Sequence, residues 1–340
     1  MRLRPLSVIA AFILLLVLAY TAWWVSASWQ LRRGIESWAE QQRALGNTVS
    51  YTDLTVGGWP LSLDASAKAV GLSRPDGASV AVPLLQASAE PWNPLVIHPA
   101  FPQGLSLTAP AADGPTTLTA GGGDGRVTLG LDGQAREVSL NLAKAVLATP
   151  GIVGPLPMDS LAGSWVAPDA PPANYQEVAL TLSLAATGIT LPNPVPQPLP
   201  QRVDRLALTA AWKGPLPPDT KADSLRAWSD AGGTVEVQSL RLDWAGIDLR
   251  GDATLALDAD LQPVAAGRAF LSGTDVLVEA LVAGGQMKPN QAAAVKAGLG
   301  LLTQPQADGR RAVQVPVTLQ ERKLSVGPVK VLDVPPVAWD

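Results

Sequence analysis

The chain has 340 residues, a net charge of −4, 47% apolar and only 16% charged residues, against roughly 25% charged in an ordinary soluble domain. That balance offers no basic footprint for nucleic acid, so no nucleic-acid partner is expected. The chain contains no Cys and one His, which excludes disulfides, thiolate metal sites and lipoprotein acylation and leaves too little for a histidine-based metal site or relay.

Residues 6–25 carry no charge. At 1.5 Å per residue such a helix spans about 30 Å, the thickness of a hydrocarbon core. Arg2 and Arg4 precede it, which favours a cytoplasmic N-terminus, while Arg32 and Arg33 oppose that orientation from the other side. Tyr20, Trp23, Trp24 and Trp29 would form an interfacial belt at its far end. Ser26-Ala27-Ser28 also fits a signal-peptide cleavage site. A retained anchor over residues 1–26 is the favoured reading, because a cleavable apolar region usually runs only about 7–15 residues. Trp24, Ser28, Leu31, Ile35, Trp38 and Leu45 recur at helical spacing. An amphipathic continuation over residues 27–47 is therefore expected, stopping at Gly46-Asn47.

From residue 48 the pattern turns to strands. The run Tyr51-Thr-Asp-Leu-Thr-Val-Gly-Gly-Trp-Pro60 is two alternating segments about a corner. Gly57 and Gly58 would permit its bend, Pro60 would end pairing, and Trp59 would plug it. Leu61, Leu63, Ala65 and Ala67 alternate with polar residues, and Pro75-Asp76-Gly77 reads as a turn. Asp124-Gly125 and Asp132-Gly133 bracket an apolar run as hairpin turns would. Further strands are expected over 138–143, 178–184, 203–212, 234–242, 247–257, 312–319 and 324–332. Helical patterns are few: 224–231, 274–283 and 290–303, the last two forming a helical hairpin near 274–303. A proline-rich stretch at 191–200 suggests two β-rich halves, 48–200 and 201–340. The fold class is mainly β, or β-rich α+β: a transmembrane helix, then an elongated, curved, mostly antiparallel sheet with a few short helices.

No residue constellation names a reaction. Asp243, Asp248, Asp252, Asp258 and Asp260 lack the spacing of a cation loop, and read as wet-face and turn residues. Gly121 to Gly125 lacks the Gly-Lys-Ser/Thr ending of a phosphate loop and reads as a flexible hairpin. His98 has no nucleophile or orienting acid beside it in sequence, and Gly163-Ser-Trp165 is not a nucleophile elbow. Neither an enzyme nor a cofactor is expected.

Eleven aromatic residues are Trp, against three Tyr and three Phe. Trp59, Trp92, Trp165, Trp212 and Trp244 are read either as anchors of a thin core or as the lining of a groove for an apolar ligand. Tyr51, Gly58 and Pro60 are assigned to the corner.

Taken together, the anchor, Trp38, Gly46, Tyr51-x-x-Leu-x-Val-x-Gly-Trp-Pro60, Leu61-x-Leu63, Pro91-x-Asn-Pro94, Val315-Pro-Val-x-Leu319 and Leu324-x-Val-Gly-Pro328 resemble the bacterial domain of unknown function 2125 family. The family's usual corner is Gly-Phe/Tyr-Pro, and Trp59 departs from it by an aromatic exchange. The layout is more loosely similar to AsmA-like envelope proteins, which implies phospholipid handling or outer-membrane assembly, by fold analogy alone. The reading is thus an inner-membrane, single-pass protein with its C-terminal domain in the periplasm. It holds a phospholipid or other apolar ligand on its sheet, or serves as a non-catalytic scaffold whose sheet face a protein partner covers.

Overall fold

The computed structural model describes residues 5–111, 113–150, 152–192, 195, 198–219, 221–305, 311–327, 329–337 and 339. The chain is mainly antiparallel β, with eighteen strands and four helices among the described residues. It divides into two compact units, residues 1–134 with 147–151 and residues 135–146 with 152–340.

The first unit begins with α1 (Pro5–Ala44), a single helix rich in Leu and Ala. It ends as its sequence predicts. Gly46 takes φ +87°, and the Gly46 and Asn47 N–H groups donate to the carbonyls of Arg43 and Gln42, the hydrogen-bond pattern of a glycine-terminated helix. Then come β1 (Thr48–Gly57), β2 (Leu63–Ser73), β3 (Ser79–Glu90), β4 (Asn93–Phe101), β5 (Leu105–Ala109), β6 (Thr116–Ala120) and β7 (Gly122–Leu129). The first three pair in succession. The outer edge of β3 is shared: β4 takes its Gln86–Glu90 end and β5 its Ser79–Ala81 end. In turn β4 pairs with β7, and β5 with β6. One row of side chains, Leu63, Ala89, Ile97 and Val127, crosses β2, β3, β4 and β7 in register.

The glycine run differs from expectation. Gly122 to Gly125 lie inside β7 rather than in a flexible hairpin, and the Asp124-Gly125 turn is absent. A Cβ on Gly122 would meet the Phe101 carbonyl at an ordinary contact distance of 3.6 Å, and nothing in the structure explains the glycine there.

The second unit holds β8 (Ala135–Ala148) up to Val146, β9 (Leu156–Val166), β10 (Val178–Thr190), β11 (Arg202–Lys213), α2 (Ala222–Asp230), β12 (Thr234–Trp244), β13 (Ile247–Leu257), β14 (Pro263–Ser272), α3 (Thr274–Ala283), α4 (Pro289–Leu302), β15 (Thr303–Pro305), β16 (Arg311–Gln320), β17 (Lys323–Val326) and β18 (Val329–Asp333). From β9 to β14 each strand pairs with the next, and the ladder continues through β16, β17 and β18. The expected 324–332 strand is divided by Gly327 at φ +58°. The helical hairpin forms where expected, tied by Lys296 Nζ to Glu279 at 2.8 Å. The proline-rich stretch lies within this unit. Its Leu199 is buried with Ile247 and Ala280, and its Pro200 carbonyl accepts the Trp244 indole N–H at 2.9 Å.

Candidate functional site

The corner between β1 and β2 is where helix and sheet meet. Gly58 adopts φ +100°, and a Cβ there would come within 2.4 Å of Ser62 Oγ, so the position admits only glycine. The Ser62 N–H and Oγ–H both donate to the Gly58 carbonyl, at 2.9 and 3.2 Å. The Trp59–Pro60 peptide is cis. This tight turn presents two carbonyls to α1. The Tyr20 hydroxyl donates to Pro60 O, and the Trp24 indole N–H donates to Ser62 O at 2.9 Å.

Trp24, only 9% exposed, is the aromatic packed at this corner. Trp59 does not plug it; its side chain stands mostly in the open. Along α1 the covered line runs through Tyr20, Trp24, Ala27, Ser28, Leu31, Ile35 and Ala39. Trp38 and Leu45, expected on that face, are exposed, and Ala39 is fully covered instead. A small residue lets the helix backbone approach the sheet there.

Beside this contact a groove of about 560 Å³ runs between helix and sheet. Trp23, Ala27, Leu31 and Ile35 form its helical wall; Leu63, Ala65, Ala87, Ala89 and Ile97 form its floor. Its volume falls within the roughly 300–1,000 Å³ of ordinary ligand pockets. The polar side chains in its lining are Ser26, Gln30 and Ser88, and among the described residues none of the lining groups ionises. From Trp23 to Ile35 the helix rises about 18 Å, close to one leaflet's share of a hydrocarbon core of about 30 Å. The space exists because the floor is built of alanines at alternate positions of β2 and β3, where larger apolar residues would close it.

The sequence-predicted tryptophans lie apart from this groove. Trp59 and Trp92 sit in turns of the first unit. In the second unit Trp165 lies opposite Leu182, Trp212 packs against Trp228 of α2 with ring centroids 4.8 Å apart, and Trp244 binds the Pro200 carbonyl. Tyr51 is half-buried on β1. Sequence reasoning assigned none of the wall and floor residues to a groove. The signal that could have found them is the alternating Ala65/Ala67 and Ala87/Ala89 pattern on strands flanking a membrane-length helix.

Two further cavities can be placed among the described residues. One of about 440 Å³ in the first unit is floored by Leu72, Val80, Leu107 and Leu118, with Arg74 in its lining. The other, about 700 Å³ and polar, is lined by Asp258, Asp260, Glu321, Arg322, Lys323 and Asp333. Three of its acids have partners: Asp258 Oδ1 accepts the Asp260 and Gln262 N–H groups, Glu321 pairs with Lys323, and Asp333 with Lys330.

The other aspartates singled out in the sequence are likewise paired. Asp243 and Asp248 face each other across β12 and β13, as do Arg241 and Arg250. Arg241 pairs with both aspartates, and Arg250 with Asp248. Asp252 pairs with Arg268. Burial acts most strongly on the Asp243 carboxyl and pushes its pKa up, but hydrogen bonds and charge from Arg241 outweigh it and hold the group below the ordinary carboxylate value. Among the described residues no group of three His, Cys, Asp or Glu is placed to hold a metal ion. His98 is an exposed residue of β4.

A family model described as "Uncharacterized protein conserved in bacteria (DUF2125)" matches residues 24–335. No curated protein and no solved structure matches the chain.

Proposed function

Since the chain belongs to the bacterial DUF2125 family, whose description names no activity, we propose from its geometry that it is a membrane-anchored envelope protein that takes an apolar lipid chain into the groove beside α1. The observation that carries this reading is the groove's position. It begins at Trp23, within the last turn of the uncharged 6–25 segment, on a helix long and apolar enough to cross a membrane. A chain leaving the bilayer at that level enters an apolar cleft without crossing water. The proposed location is the inner membrane, with the β-rich body in the periplasm. The lining offers no acid–base pair, which supports binding or conveying rather than catalysis.

Native mass spectrometry of protein extracted in mild detergent tests the reading. The unaltered chain should carry lipid, and the double variant Ala87→Leu/Ala89→Leu, which fills the groove floor, should lose it. A clean lipid-free species from the unaltered chain would overturn the proposal.

A second reading has its own observation. Leu182, Leu184 and Leu206 are exposed on β10 and β11, and the register places them on one face. A scaffold covered there by an envelope protein would show crosslinks from these positions to one stoichiometric partner.

A further inference from the structure

A second feature concerns the end of the first unit's sheet, not the groove. Beyond the row Leu63, Ala89, Ile97, Val127, three turns project from the same sheet end. They are the corner at residues 58–62, the turn joining β3 to β4 at residues 91–92, and the turn after β7 at residues 130–133. Each carries a large apolar side chain that is half exposed or more: Trp59 at 51% and Leu61 at 69% exposed, Trp92 at 65% and Leu131 at 98%. They lie two to four residues past that row in sequence. The turn at the opposite end of β2 and β3 is Arg74-Pro75-Asp76-Gly77, which is polar.

The two helix–corner hydrogen bonds give this rim a level. Tyr20 reaches Pro60 O and Trp24 reaches Ser62 O, so the corner stands beside the last two turns of the uncharged 6–25 segment. Where α1 leaves a bilayer, the rim is at the headgroup boundary, the depth at which Trp accumulates. Uncovered apolar side chains on three separate turns are costly in water and at home at that depth.

We propose that this rim, with Trp59, Leu61, Trp92 and Leu131 at its tips, is a second membrane-contact surface that inserts into the interface of the same bilayer that holds α1. The body is thereby held against the lipid surface by two elements, a spanning helix and a shallow apolar edge, which keeps the Trp23 end of the groove near the membrane. The inference rests on reading α1 as a membrane anchor. It is independent of whether the groove carries lipid.

The chain contains no Cys, so single cysteines can be labelled in the full-length protein. Leu61→Cys, Trp92→Cys and Leu131→Cys, each bearing an environment-sensitive fluorophore, are reconstituted into phosphatidylcholine vesicles with and without spin-labelled acyl chains. Asp76→Cys serves as the distant control and Leu16→Cys as the reporter of the span. The three rim labels should shift to shorter wavelength and lose most of their emission to the spin label, as Leu16→Cys does, while Asp76→Cys stays unquenched. Quenching at Leu16→Cys with wet, unquenched rim labels would overturn the rim and leave the anchor standing. No quenching at Leu16→Cys would overturn the anchor and the rim with it. Oxidative footprinting of the unaltered chain in the same vesicles gives an independent readout. Trp59 and Trp92 should be protected relative to Trp38, which is exposed farther along α1; equal oxidation would again overturn the proposal.

Discussion

If α1 is fastened to the sheet chiefly through Trp24, truncating that residue should weaken the first unit by a calculable amount. A buried Trp covers about 150–250 Å², which at about 25 cal/mol per Å² is about 4–6 kcal/mol, an upper estimate because the unfolded chain already buries part of that area. Truncations of core Trp to Ala cost about 3–5 kcal/mol, and this is the expectation for Trp24→Ala. Trp24→Phe keeps most of the packing and loses the indole N–H to Ser62 O, a bond worth about 0.5–1.5 kcal/mol net. The two variants should therefore separate by about 2 kcal/mol or more. Denaturant unfolding in micelles, followed by far-ultraviolet circular dichroism and by a second probe to check two-state behaviour, measures both. A Trp24→Ala loss below about 1 kcal/mol would refute the docking argument, since a residue this covered cannot be removed so cheaply from a real contact.

Close backbone approaches in the second unit give two further expectations. A Cβ on Gly233 would lie 2.1 Å from Trp228 Cε2, so Gly233→Ala should lower the unfolding midpoint by the equivalent of about 1–3 kcal/mol. Gly273 combines φ +74° with a Cβ position 2.2 Å from the Gly246 carbonyl; Gly273→Ala should cost at least as much, because strain at positive φ adds to the clash. Asp243 supplies a pH test. Its carboxyl is held below the ordinary value, so its stabilising contribution is complete above about pH 4, the unperturbed range, and is lost as pH falls through the lower folded-state value. The advantage of the unaltered chain over Asp243→Asn, measured by unfolding at pH 7, should shrink progressively below pH 4. Intact mass of the protein from membranes should retain residues 1–28, because cleavage after Ser28 would remove both Tyr20 and Trp24 from the corner.

What was legible in the sequence follows physical range. Elements set by neighbours in the chain came through. The Gly46-Asn47 stop, the Pro75-Asp76-Gly77 turn and the helical hairpin at 274–303 rest on local backbone rules and appear where expected. Contacts that depend on distant partners did not. Trp59 looked like the corner's plug because it lies in the corner, whereas the residue packed there, Trp24, comes from 38 positions away. Trp38 carries the right helical phase, but at that level of the helix the covered residue is its neighbour Ala39. The glycines at 122–125 carry the composition of a flexible loop, yet they lie in a strand paired with β4. The groove was the hardest to see, because it is defined by volume that alanines leave empty.

The placement of the groove decides which route a ligand could take. Transfer of an acyl chain through water costs about 0.8 kcal/mol for each methylene exposed, so a chain of ten methylenes faces about 8 kcal/mol before it reaches any site on the body. Transfer directly from bilayer to groove exchanges one apolar surrounding for another, and lipid tails are as apolar as the Leu and Ile side chains that would replace them. Such an exchange is nearly neutral in hydrophobic energy and is governed by fit. It requires an apolar path, which the proposed rim of Trp59, Leu61, Trp92 and Leu131 would extend toward the groove wall at Trp23. Rim and groove are therefore coupled in a testable way. Replacing Leu61 and Leu131 together by Asp should reduce the lipid that co-purifies even though neither residue lines the groove. Unchanged lipid content in that double variant, with the rim shown to be displaced from the bilayer, would mean that lipid reaches the groove by another path.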